Sequence, residues 1–313
     1  FADGEDENTL KAAIAFKNSG LGIPILVAKK DTIKQRLKEI GYSENLDIEI
    51  TNSTDKEKRE KYVNFLFKKL QREQGLLERD CDRMVRTDRI IWASCMVSCG
   101  DADGAVTGNT RRYGASLEKI SKVIDPRPGE IMFGLNMVVN KGKTVFVGDT
   151  SVNEYPSSEQ LAEIAISSAR VVRLFGFDPK VAFVSHSTFG QPLTSRTKHI
   201  KKAVDILKDK GVDFKFDGDM QPDVALNDEY KELYPFSEIV GNANILIMPG
   251  QHSAAISYKM MRELGGAKVI GPLLIGLGEP IEIAPLRSST SDILNLASVA
   301  AYSAGVIDYK KKN

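Results

Sequence analysis

No apolar run in this sequence is long enough to cross a bilayer: the longest, residues 181–184 and 244–248, are strand-sized, against about 20 residues for a membrane helix. An excess of either charge is missing too. Lys+Arg of 43 against Asp+Glu of 42 leaves a formal net charge of +1, so nothing draws the whole surface toward nucleic acid or membrane, and an anionic ligand must be held locally. Cysteine is scarce. Cys81, Cys95 and Cys99 are odd in number and outside any Cys-x-x-Cys pattern, which argues against a disulfide framework and for a reducing cytoplasm. Cys95 and Cys99, four apart on a predicted helix, read as small buried apolar residues. No Gly-x-Gly-x-x-Gly follows a strand, so no dinucleotide site is expected, and no metal site, internal repeat, low-complexity tract, secretory signal or flexible linker is legible.

What remains is an ordinary α/β composition. At 313 residues and 42% hydrophobic, the chain is long enough for two domains or one large α/β unit. Strand-like runs alternate with helical periodicity, which predicts a mainly parallel sheet. Helices are expected over 9–17, 31–40, 116–124, 198–208 and 255–264, the last stopped by Gly265 and Gly266. Another opens at Ser157, whose spacing to Gln160 is that of a capping box. Strands are expected over 23–29, 105–107, 132–139, 144–147, 181–184, 214–216 and 245–248. The charged stretch 55–83 interleaves Tyr62, Phe65, Leu66, Phe67 and Leu70 with charges of both signs, the pattern of a solvated helical hairpin with one buried stripe. The opening residues, 1–7, read as the end of a strand followed by a helix start, as in a fragment cut from a longer protein.

Ligands of open α/β sheets collect where strands end and helices begin. Five such ends are rich in small and polar residues: 148–153, 185–190, 217–221, 249–253 and 288–292. Hydroxyls and backbone N–H groups there suit phosphate, although each segment alone also reads as ordinary caps and turns. The candidate ligand-binding residues are Thr150, Asn153, Ser185, Ser187, Thr188, Gln221, His252, Tyr258, Lys259, Arg287, Ser288, Ser289 and Asp292. His252 has no evident carboxylate to orient it, and His186, between Ser185 and Ser187, lies outside the Gly-x-Ser-x-Gly elbow that a catalytic triad would call for.

Taken together, Gly100-Asp101-Ala102-Asp103-Gly104-Ala105-Val106-Thr107-Gly108, Asp149-Thr150-Ser151-Val152-Asn153, Ser185-x-Ser187-Thr188, Asp217-Gly218-Asp219-x-Gln221, Tyr258-Lys259 and Gly271-Pro272 resemble, in order and spacing, the phosphate acetyl/butyryl transferase family over essentially the whole chain. The resemblance implies two α/β/α domains with mainly parallel sheets and a cleft between them, similar to phosphotransacetylase and isocitrate dehydrogenase. Residues 1–134 with 273–313 would form the first domain, and 135–272 an inserted, dimer-forming second. It also implies that an aspartate at the position of Asp292 acts as base toward the CoA thiol, while an arginine and a serine stabilise the anionic intermediate of acyl transfer.

Two of those positions differ here. Aligning the Gly-Pro and Ser-x-x-Asp-Ile anchors puts Pro285 on the serine and Leu286 on the arginine, and neither side chain can donate a hydrogen bond. Arg287 is one residue off. These departures, with Ser185-His186-Ser187-x-Phe189-Gly190 and Phe175-Gly176-Phe177-Asp178-Pro179, look like the C-terminal domain of large bacterial malic enzymes. In that setting the resemblance implies a domain that binds acetyl-CoA as an allosteric inhibitor of malate decarboxylation and mediates oligomerisation. NADP and Mg or Mn would belong to upstream malic and nicotinamide-binding domains, and no cofactor to this segment. The other readings are a working phosphate acetyltransferase, with Asp292 as base, and a dehydrogenase related to the isocitrate and isopropylmalate enzymes, which lacks its carboxylate cluster here.

Overall fold

A computed structural model of the chain describes residues 1–43 and 48–312, the last six of these as backbone alone. The chain divides into two compact units, Phe1–Arg127 with Leu277–Asn313, and Pro128–Gly276. The crossings thus lie several residues from the boundaries expected at 134 and 273, because the strands containing those positions belong wholly to the second unit.

In the first unit, α1 (Glu7–Asn18), β1 (Ile25–Val27), α2 (Lys30–Glu39) and β2 (Glu49–Thr51) are followed by three successive helices, α3 (Lys56–Gln74), α4 (Glu78–Thr87) and α5 (Arg89–Ser98). Then come β3 (Ala105–Thr107) and α6 (Tyr113–Val123). β1 pairs in parallel with β2. Phe1 bonds to both ends of β1, through its amino group to the Ile25 carbonyl and its carbonyl to the Val27 N–H, and the Ala2 N–H donates to the Val106 carbonyl of β3. The expected charged hairpin is α3 and α4, with Tyr62, Val63, Leu66, Leu70, Cys81 and Val85 as its buried stripe. Asp55 caps α3, and Gly75, in the left-handed conformation at φ 65°, ends it. β1 is shorter than the strand expected over 23–29, and Ile23 lies outside it, largely exposed ahead of Pro24.

The second unit carries one six-stranded sheet, formed by β4 (Phe133–Asn140), β5 (Lys143–Gly148), β6 (Lys180–Val184), β7 (Lys215–Met220), β8 (Ile245–Ile247) and β9 (Lys268–Ile275). Its order is β7-β6-β8-β5-β4-β9, parallel from β7 to β5 and antiparallel at β4 and β9. Helices α7 (Ser158–Leu174) and α8 (Ser195–Lys210) pack on the core of Phe133, Phe146, Phe183 and Ile245. The short α9 (Pro222–Leu226) and α10 (Gln251–Glu263) pack with Val147, Leu246 and Met248. The capping box read at Ser157 and Gln160 is present, with Gln160 N–H bonding to Ser157 Oγ at 3.2 Å. Several helices start earlier than expected, among them α6, at Tyr113 in place of 116, and the two that follow β6 and β8. α8 is opened by Thr194 and Thr197, a cap whose third position is not Glu or Gln, and α10 starts at Gln251 without a side-chain cap. After β9 the chain returns to the first unit as β10 (Ile281–Ile283), parallel to β3, and α11 (Thr290–Lys312). No described helix is long and apolar enough to cross a membrane.

Candidate functional site

Because β7, β6, β8 and β5 are parallel neighbours, their carboxyl ends lie side by side along one rim of the second unit's sheet. That rim carries Gln221 after β7, Ser185, Ser187 and Thr188 after β6, His252 after β8, and Thr150 and Asn153 after β5. The structure therefore gathers seven of the thirteen predicted residues at one end of one sheet, but most of their polar atoms are spent on the loops themselves. Thr150 Oγ1 lies 3.1 Å from the Gly134 carbonyl and 2.9 Å from Asn136 Oδ1. Asn153 Nδ2 donates to the Met132 carbonyl and to Asp149. Ser187, fully buried, donates from Oγ to the equally buried Asp219, and Thr188 Oγ1 accepts from the Gln221 N–H at 3.3 Å.

Two aspartates organise this rim, and sequence reasoning passed over both in favour of the hydroxyls beside them. Asp149 accepts from the N–H groups of Gly134, Ser151, Val152 and Asn153 at 2.6–3.1 Å and from Asn153 Nδ2 at 2.7 Å. Asp219 accepts from Ser187 Oγ and the Gly190 N–H, and its carbonyl accepts from the Phe189 N–H at 2.6 Å. The repeated Gly-Asp pair at the ends of β5 and β7 was the available signal. Carboxylates that collect several donors fix loops; they are poor candidates for bases.

His252 does have a carboxylate partner. Its Nε2 lies 3.1 Å from Glu154 Oε1, and its ring stacks on Tyr155 at 6.2 Å between centroids. The pairing arises because the loop after β5 runs against the start of α10: the Gln251 N–H donates to the Glu154 carbonyl, and a Cβ on Gly250 would sit 2.7 Å from that oxygen. The pair is largely exposed to solvent. Further along α10, Tyr258 is buried, which pushes its pKa up against the smaller lowering effects of Arg262 and Asn136. Asn136 Nδ2 is buried with no hydrogen bond of good geometry. Exposed Lys259 places its ammonium 5.8 Å from the centre of the Tyr258 ring.

The remaining four candidates are in the first unit, three in the turn between β10 and α11 and Asp292 in the first turn of α11. Ser288 is buried and donates from Oγ to the Pro285 carbonyl at 2.7 Å. Asp292 Oδ2 accepts from Ser289 N–H at 3.0 Å and Ser289 Oγ at 2.7 Å, while the Asp292 N–H donates back to Ser289 Oγ at 3.2 Å. This reciprocal bonding is a capping box, so the Asp292 carboxylate is engaged in starting α11. Pro285 and Leu286 add no side-chain donor. Arg287 adopts φ 62°, its N–H bonds to the Asn109 carbonyl, and its side chain is exposed and forms no ion pair with a described residue. Asn8 holds the turn from α1, donating to the Ser288 carbonyl at 3.1 Å and accepting from Thr290.

Other chemistry-bearing groups lie apart from these rims. Cys95 is buried in α5 and its thiol is pushed well up by burial, while Cys99, expected to be buried, is half-buried and its thiol is raised, by burial first; both suit packing and not nucleophilic attack. Among the described residues no cluster of His, Cys, Asp and Glu could hold a metal ion. A recess of about 610 Å³ opens at the amino ends of β1 and β3, walled by Phe1, Phe16, Ile25 and Ala300, and contains none of the candidate residues.

The geometry can be set beside known proteins. A family model described as phosphate acetyl/butaryl transferase matches residues 1–301. An NADP-dependent malic enzyme of Rhizobium meliloti is 43% identical over 306 residues, covering 97% of this chain and 40% of that protein. A phosphate acetyltransferase of Clostridium acetobutylicum is 32% identical over 316 residues, covering 97% of this chain and 93% of its own length. A solved phosphotransacetylase from Streptococcus pyogenes matches with a TM-score of 0.89 at 28% identity, covering 98% of this chain and 93% of that one. The chain thus spans about 40% of the length of the malic enzyme and nearly all of the transferase. It belongs to the phosphate acetyl/butaryl transferase family.

Proposed function

We propose that this chain is an acetyl-CoA-binding, regulatory and oligomerising domain of an NADP-dependent malic enzyme, without transferase turnover of its own. The observation that carries this reading is the turn before α11. Two positions where the family resemblance calls for a serine and an arginine are Pro285 and Leu286, and the carboxylate of Asp292 is engaged by Ser289 N–H and Oγ. Acyl transfer through an anionic intermediate relies on fixed donors, and loss of one costs about 10²–10³ in rate. Similarity to malic enzymes more than twice the length of this chain supports a role within a larger polypeptide. Inhibition of malate decarboxylation by acetyl-CoA, homodimerisation and a cytoplasmic setting belong to the same reading. NADP and the divalent cation are assigned to other domains of such an enzyme.

The test is a pair of measurements on the purified chain. Acetyl-CoA is expected to bind in calorimetry, and acetyl phosphate with CoA is expected to give no thiol consumption above the uncatalysed rate. Turnover at tens per second would favour the second reading, a phosphate acetyltransferase, which the relative in Clostridium acetobutylicum supports by matching over 93% of its own length.

A further inference from the structure

Phe1 and Ala2 are bonded as the end of a strand laid between β1 and β3. On one side the Phe1 amino group donates to the Ile25 carbonyl and the Phe1 carbonyl accepts from the Val27 N–H; on the other, the Ala2 N–H donates to the Val106 carbonyl. Residues that turn alternately to two neighbours, bonded to both residues flanking their partner, make a parallel ladder. The pair β2 with β1 and the pair β3 with β10 are therefore joined across these two residues. Ala2 is fully buried at the join.

Toward the amino ends of β1 and β3 the space between them is the recess of about 610 Å³. The alternation of the ladders runs on into it. The Ala28 N–H bonds to Thr51 of β2 and the Val27 N–H to Phe1, so the Ile25 N–H is turned to the recess; the Ala105 N–H bonds to Pro280, so the Val106 N–H is turned to it from the other wall. Two strand edges thus face each other with donors to fill. The lining between them is apolar, with Ala93 and Met96 from α5, Ala297, Ala300 and Ala304 from α11, and Phe16 from α1. Ile23, 86% exposed, stands uncovered in the same lining. The hydrophobic run over 23–29 predicts a strand that begins two residues before β1, and it is there that a neighbour is missing.

The geometry points to one occupant: polypeptide joined ahead of Phe1, seated in the recess as the central strand of a single parallel sheet that runs from β2 and β1 through it to β3 and β10. A malic enzyme of which this chain covers 40% has length to supply it. With Phe1 and Ala2 as the last two residues of a strand of ordinary length, roughly three or four remain to be added. Enclosed between helices in a parallel sheet, they are apolar and β-branched, with no proline among them. The strand leads straight into Asp3, Asp6 and Asn8, which bond to Gly108, Thr110, Asn109, Ser288 and Thr290. Seating it therefore ties whatever lies upstream to the turn that carries Pro285 and Leu286. The assignment does not depend on acetyl-CoA binding.

Amide hydrogen exchange is measured on the chain as it stands and on two forms lengthened ahead of Phe1, one by Val-Ile-Val-Ile and one by Gly-Ser-Gly-Ser. In the unlengthened chain the Ile25 and Val106 N–H groups are expected to exchange about tenfold faster or more than those of Ala28 and Ala105, which are bonded. The apolar extension is expected to slow both groups about tenfold or more and to raise the melting temperature by roughly 5 °C. The Gly-Ser extension, poor in strand propensity and without apolar side chains, is expected to do neither. Thr-Val-Thr-Val serves if the apolar form does not fold, with the same direction of effect. Equal exchange in the unlengthened, apolar and Gly-Ser forms overturns the assignment. So does protection of Ile25 and Val106 in the unlengthened chain that rises with protein concentration, which would give the recess to a second copy.

Discussion

Asp149 follows a strand of the second unit and Asp292 lies in the first turn of a helix of the first, and their partners assign them different work. Asp149 is buried and holds three backbone N–H groups and an amide of its own loop, together with the Gly134 N–H of β4. Asp149→Ala leaves those donors unsatisfied in the interior, and a loss of roughly 3 kcal/mol or more in unfolding free energy is expected in urea titration. Asp292 is exposed and completes a cap, so Asp292→Ala is expected to cost about 1 kcal/mol by the same measurement. Equal losses at the two positions would contradict these roles. The sequence singles out these segments, but the hydroxyls of Thr150 and Ser187 are already bonded within the fold. Thr150 and Ser187 look like free phosphate donors in a linear reading, but their partners, Gly134, Asn136 and Asp219, lie 14 to 32 residues away, and burial is decided by the whole sheet.

At the scale of elements, local signals did well where capping chemistry was present. Ser157 with Gln160 marked the start of α7, and the alternation of charge with Tyr62, Leu66 and Leu70 marked α3. They did less well at α10, where Gly250 supplies no side-chain cap and the loop around Glu154 fixes the entry of the chain. A methyl group at position 250 collides with the Glu154 carbonyl. Gly250→Ala is therefore expected to lower stability by about 1–3 kcal/mol and to separate His252 from Glu154, which chemical shifts of the His252 ring would report. Another junction links α3 to the turn after α5. Lys61 Nζ and Tyr62 Oη bond to Asp101 at 2.8 Å. Burial alone would raise the Asp101 carboxyl, but the bonds from Lys61 and Tyr62 outweigh it and hold the group below its ordinary value of 3.8. A depressed carboxylate contributes stability above its unfolded value that is lost as pH falls through the folded one. The melting temperature is thus expected to decline below about pH 4, with a shallower decline in Asp101→Asn, and an unchanged acid limb in that variant would contradict the link.

Over the whole molecule, the first unit is discontinuous in sequence, and its two segments are tied at the α11 turn by Asn8, bonding to Ser288 and Thr290 across some 280 positions, and by the Asn109 carbonyl, which accepts from the Arg287 N–H. Hydrophobic periodicity predicted an α/β chain but not this return; the order of the Gly-Asp, Ser-x-Ser-Thr and Asp-Gly-Asp segments implied it through the family they resemble. The α11 turn that Asn8 braces carries Pro285 and Leu286, the two positions on which the proposed lack of turnover rests. The central claim is that the chain binds acetyl-CoA and does not turn it over. It is tested most directly by titrating acetyl-CoA into the chain and, on the same sample, following thiol consumption with acetyl phosphate and CoA. Saturable binding with no turnover above background is the predicted result. Turnover at tens per second, or no binding at millimolar acetyl-CoA, would contradict it.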